Sequence, residues 1–167
     1  MEPQKNLKQA LESWQHGQSS IEQVRALAAD LGSEHYAPGV PALIRLLDHD
    51  DAIVRYNAVM SLAFEFHHKP VADRLLAMLA DDPDDDCRGV AAGALGSLFQ
   101  NSRDHRILAA LGRAALSDPE EYVRSSAYKS LQIVNGVSPD QHLKLLRDQS
   151  LSVDPARVES ILAEVSE

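Results

Sequence analysis

The chain has 167 residues, 25 acids against 16 Lys and Arg for a formal net charge of −9, 44% hydrophobic and only 5% aromatic residues. That length suits one domain, and the acidic balance argues against nucleic acid, whose phosphates repel an anionic surface. One cysteine, Cys87, excludes an intramolecular disulfide and fits a reducing compartment. The start, Met1 to Lys5, has no apolar core of a signal peptide. No apolar run approaches the ~20 residues of a membrane span. A cytoplasmic protein with no membrane partner is the expectation.

Residues 4–15 place Leu7, Ala10, Leu11 and Trp14 at helical spacing, and Gly17 ends that segment. Ser20 with Gln23 reads as a capping box opening a helix through Val24, Leu27 and Leu31, closed by Gly32. The next helix runs from about Val40 to Leu47, with Pro41 in its first turn. After an acidic turn at Asp48 to Asp51 a longer helix reaches about Phe66. The unit repeats: a helix from Pro70 to Leu79, a turn at Asp81 to Asp86, and a helix to about Phe99. It repeats again from His105 to Leu116, through Ser117-Asp118-Pro119, to about Val134, with Asp118 and Glu121 as a second capping box. The last unit opens at Ser138-Pro139, turns at Asp154-Pro155 and ends near Val165. Asp154 suits the N-cap and Pro155 the first helical position.

Three of these segments share one pattern: Arg55-Ala58-Leu62, Arg88-Ala91-Leu95 and Arg124-Ala127-Leu131. Asp-Pro pairs at 82–83, 118–119 and 154–155 keep a matching beat of 36 residues. Arg25-Ala28 reads as a degenerate earlier copy. Such a period indicates stacked helical units, so the expected fold is an all-α solenoid of about five antiparallel helix pairs. It is expected to form a single domain over 1–167, with a capping pair at 1–37, three well-matched repeats over 38–135 and a second capping pair at 136–167.

The motif of an acidic turn followed by Val-Arg-x-x-Ala-x-x-x-Leu resembles HEAT repeats, in particular the bacterial HEAT-like type of phycobilisome lyases. It stands here as Asp50 to Ala58 and Asp118 to Ala127, and in the middle copy Cys87 replaces the Val. The resemblance implies that first helices line a convex side and second helices a concave one. It also implies an Asp–Arg ladder between neighbouring repeats, which would make Arg55, Arg88 and Arg124 structural.

Groups with catalytic or metal-binding chemistry are sparse. His67-His68 is the only adjacent histidine pair, and neighbours about 100° apart on a helix do not grip one ion. There is no HExxH and no His-Glu dipeptide. Cys87 takes a core position, where a thiol is inert. Gly93 to Gly96 lies within a helical pattern and is no phosphate cradle. No catalytic residue, cofactor or metal site is expected.

Two surfaces remain. The turns carry more acids than capping needs: Asp48, Asp50, Asp51, Asp81, Asp82, Asp84, Asp85, Asp86, Glu120 and Glu121 would form an acidic edge for a basic protein partner. The concave side would be a groove with a bare glycine floor, Gly89, Gly93 and Gly96. Tyr56, Met60 and His67 would flank it on one side, and Tyr128, Lys129 and Gln132 on the other. The resulting expectation is a non-enzymatic scaffold or adaptor, of the kind an inhibitor or immunity protein would be. A lyase acting on bilin–protein linkages is the alternative that the resemblance raises, and a nucleic-acid binder is a third, disfavoured by charge.

Overall fold

The computed structural model describes residues 2–148 and 151–165. The outer limits expected for the domain, 1 and 167, lie outside the described residues. Among those residues there are ten α-helices and no strands: α1 (Glu2–Gln15), α2 (Ile21–Ser33), α3 (Val40–Leu46), α4 (Ala52–Met60), α5 (Ala72–Asp81), α6 (Asp85–Leu98), α7 (His105–Ser117), α8 (Glu121–Asn135), α9 (Pro139–Arg147) and α10 (Pro155–Val165). The fold class is all-α, as the repeat predicted. None of the described helices is long and apolar enough to cross a membrane. The helices group into two compact units, Met1–Val71 and Ala72–Glu167.

In the first unit α1 packs on α2, α3 on α4, and α2 on α4. The chain turns after α1 where the pattern places it, with Gly17 at φ +68, a conformation that costs glycine little. The Ser20–Gln23 capping box forms in both directions. Leu31, Leu43, Leu46, Val54 and Leu62 are fully enclosed, each worth roughly 1.5–3 kcal/mol of burial. Gly32 does not close α2. It lies inside the last turn, where the side chain and backbone of Ser61 occupy the space a Cβ would need, and His35 takes the left-handed conformation instead. The Ser61 hydroxyl donates to the Ala28 carbonyl at 2.7 Å. At that point α4 widens into a π-turn over Ser61–Glu65, its Phe66 N–H reaching back to the Ser61 carbonyl.

In the second unit α5 pairs with α6 and α7 with α8; α6 lies on α8 and α5 on α7. Cys87 is fully buried, in the core position the repeat assigns to it. Asp84 caps α6 through the Cys87 N–H, and the Asp154 carboxylate accepts the Arg157 N–H at the start of α10. The expected Asp118–Glu121 capping box does not form. Glu120 holds the N-cap position with no side-chain cap, because the Asp118 carboxylate is occupied by Arg88 and the Glu120 N–H. The last two helices also take neighbours other than a simple fifth pair would: α9 rests on α8, whereas α10 packs mainly on α7.

Candidate functional site

The acidic turns are built around arginines. Arg25 of α2 reaches the two carboxylate oxygens of Asp51 at 3.0 and 2.5 Å. Arg88 of α6 does the same to Asp118 at 2.8 and 3.1 Å. Each guanidinium fork thus meets a carboxylate 26 or 30 residues further along, the bidentate geometry that favours Arg over Lys. Asp51 is held down to about 2, first by the Arg25 hydrogen bonds and then, against desolvation, by the Val54 N–H. Burial pushes Asp118 up, but the Arg88 hydrogen bond, the Glu120 N–H and the nearby guanidiniums outweigh it, so its carboxyl stays below the usual range. Arg55 donates to the carbonyls of His49 and Asp50, Arg88 also to that of Asp82, and Arg124 to those of Asp118 and Pro119. The repeated arginines are therefore structural: Arg55, Arg88 and Arg124 each brace their own turn, and Arg25 and Arg88 clasp a carboxylate of the next.

That bracing sorts the acids. Asp51 and Asp84 cap helices, and Asp82 accepts the Asp84 N–H. Asp48 and Asp50 in the first unit, and Asp81, Asp85, Asp86, Glu120 and Glu121 in the second, project into solvent. In the second unit one guanidinium joins the two turns, because Arg88 holds the Asp82 carbonyl and the Asp118 carboxylate together. The five exposed acids of that unit therefore sit on adjacent, mutually anchored turns. No cluster of three metal-binding side chains occurs among the described residues.

The residues expected to form the concave groove are placed differently. Gly89 and Gly96 are buried, not bare. The Tyr122 ring covers Gly89, and at Gly96 a Cβ would meet Ser130 Oγ at 2.6 Å, Cβ at 2.8 Å and Cα at 3.0 Å. These glycines let α8 approach α6. Gly93 is half-buried. Tyr128 is buried too, and burial, reinforced by the charge of Asp154, pushes its phenol up. Lys129 Nζ donates to the Asp148 carbonyl, so it is tied to the segment after α9. Gln132 is half-buried, with an Nε2 that has no hydrogen-bond partner among the described residues. In the first unit Met60 is exposed, Tyr56 is half-buried, and His67 is exposed at φ +48 with Nδ1 3.1 Å from the Ala63 carbonyl.

A depression the repeat pattern did not flag lies between α5 and α7, with a volume of about 810 Å³. Its floor is Leu76, Leu79, Ala109, Ala110 and Ala114, with Arg106 and Arg113 on the α7 side and Asp81, Asp82 and Asp118 at one end. The close α6–α8 approach and the small alanines of α7 account for the gap. The signal was present in α7, whose non-core side carries alanine at 109, 110 and 114 beside Arg106 and Arg113.

The sequence profile of a family described as HEAT repeats matches the chain over residues 5–96 and again over 72–165. No curated protein matches it.

Proposed function

Because the chain belongs to the HEAT-repeat family, whose helical repeats serve as scaffolds for protein interaction, we propose that it is a non-enzymatic protein-binding scaffold that docks a basic partner. The docking surface is the acidic edge of the second unit. One observation carries this reading: after every capping and ladder role is filled, Asp81, Asp85, Asp86, Glu120 and Glu121 remain exposed on two turns locked to each other through Arg88. A fixed array of like charge raises the encounter rate of an oppositely charged surface and disfavours anionic competitors. In the first unit Met60 and Tyr56 offer an apolar contact of the kind that anchors partners, and Asp48 and Asp50 extend the acidic character there. The array costs the fold little, since exposed like charges in water repel weakly.

The test compares two baits in affinity capture from cells that make the protein: the natural chain and Asp85→Asn/Asp86→Asn/Glu120→Gln/Glu121→Gln. These four side chains make no capping or ladder contact described above, so the variant should fold. A basic protein retained by the first bait and lost from the second supports the reading. An identical set of captured proteins on both baits refutes it. Tyr56→Ala/Met60→Ala, measured the same way, reports the apolar contact separately.

A further inference from the structure

Tyr122, in the first turn of α8, is 53% exposed although its outer end is seated on α6. A Cβ built on the buried Gly89 would lie 2.4 Å from Tyr122 Cε1, 2.9 Å from Cζ and 3.0 Å from Oη. Glycine at 89 is what lets the side chain reach across to the neighbouring helix. Asp85 and Asp86 precede Gly89 by four and three residues, so they share its side of α6 about one turn, ~5.4 Å, nearer the helix start. Glu121 and Glu120 immediately precede Tyr122 in the chain. The aromatic side chain thus bridges the two turns that carry the exposed acids. The Asp118 hydrogen bond pushes the Arg88 guanidinium up, against desolvation, and the charges of Asp85 and Glu120 add to it, so acids of both turns converge on one residue. The cations of these turns are occupied: Arg88 holds the Asp118 carboxylate, and Arg124 the Asp118 and Pro119 carbonyls. In the first unit the residue two before the repeat arginine is Ile53, also half exposed, which has no aromatic face.

We propose that Tyr122 and the acids around it form a guanidinium subsite, in which an arginine of the basic partner stacks on the Tyr122 ring while its N–H groups donate to the flanking carboxylates. The inference rests on the acidic-edge reading above and narrows the partner's chemistry from any cation to arginine. Carboxylates draw lysine and arginine alike, because the attraction depends on charge and distance. The ring separates them. A guanidinium is planar and weakly hydrated, so it lies on an aromatic face and still points its N–H groups outward in its own plane. Acids placed on both sides of the ring receive those groups, and a carboxylate accepts two of them at once. An ammonium is compact and strongly hydrated, and it lacks that paired geometry.

Fluorescence anisotropy of labelled hexa-arginine and hexa-lysine peptides with the full-length chain is the test. The natural chain is expected to bind hexa-arginine more tightly, although the two peptides carry the same charge. Tyr122→Leu should weaken hexa-arginine by ~3–5-fold, the loss of one exposed cation–π contact, and leave hexa-lysine unchanged. Tyr122→Phe keeps the ring without the hydroxyl and should retain the preference. Asp85→Asn/Asp86→Asn/Glu120→Gln/Glu121→Gln should weaken both peptides, with far-UV circular dichroism unchanged in every variant. An arginine preference that is absent from the natural chain, survives Tyr122→Leu or is lost in Tyr122→Phe overturns the guanidinium subsite. The acidic-edge reading then still stands if the fourfold charge variant loses both peptides. A natural chain that binds neither peptide, or a charge variant that binds both as well as the natural chain does, overturns the two readings together.

Discussion

Gly96→Ala separates two accounts of why α6 is rich in glycine. If the glycines formed a bare floor awaiting a partner, an added methyl group would point into open space. Alanine would then stabilise the helix interior by roughly 0.5–1 kcal/mol. The structure predicts the opposite sign. A Cβ at position 96 lands 2.6 Å from Ser130 Oγ, 2.8 Å from its Cβ and 3.0 Å from its Cα. The last of these is backbone, so relief requires α8 to move away from α6 along the contact that holds the second unit together. Overpacking of that kind costs ~1–3 kcal/mol. Set against the propensity gain, the net loss is about 1–2 kcal/mol, which for a chain of this size lowers Tm by ~2–8 °C. Gly89→Ala is the internal control, because there the obstacle is the outer end of the Tyr122 side chain, 53% exposed, and not backbone. That variant should stay within ~0.5 kcal/mol of the natural chain. Thermal unfolding followed at 222 nm measures both. A Gly96→Ala protein as stable as the natural one, or more so, would refute the packing argument.

Other expectations follow from the ladder. Asp118→Ala removes the bidentate partner of Arg88 from a pair whose side chains are only 11% and 6% exposed, and should cost ~2–3 kcal/mol in urea unfolding. Asp73→Ala breaks an Arg–Asp contact of similar length whose side chains are 71% and 80% exposed, and should leave the urea midpoint unchanged. Asp51 carries the pH signature: its folded value of about 2 lies below the ~3.9 of an unfolded aspartate. Its stabilisation is thus complete above pH ~4 and is lost as pH falls through about 2. The urea midpoints of the natural chain and Asp51→Asn should differ at neutral pH and converge near pH 2, at matched ionic strength.

The helices were legible in the sequence because their signals are local. Ser20 with Gln23, and Asp154 before Pro155, each act on the turn that follows them. The Arg-Ala-Leu beat was legible because every copy solves the same packing problem, and Arg25, the faintest copy, makes the same carboxylate clasp as Arg88. What failed was whatever a neighbouring helix decides. Asp118 looked like a cap three residues before Glu121, but an arginine 30 residues earlier claims its carboxylate. Gly32 looked like a helix end, but Ser61 occupies the space above it. Gly89 and Gly96 looked like the floor of a groove, because a glycine reads the same from one helix whether it faces solvent, a partner or the next repeat. The α5–α7 depression left only a partial signal for the same reason: the alanines on the non-core side of α7 indicate a gap only once the spacing to α5 is known.

The central claim is that the acidic edge of the second unit grips a basic partner, and the most direct measurement is the dissociation constant of the captured partner against salt. The natural chain should bind more weakly as salt rises. Asp85→Asn/Asp86→Asn/Glu120→Gln/Glu121→Gln should bind at least ~10-fold more weakly at low salt and show a shallower salt dependence. Equal affinity and equal salt dependence for the two proteins would contradict the claim.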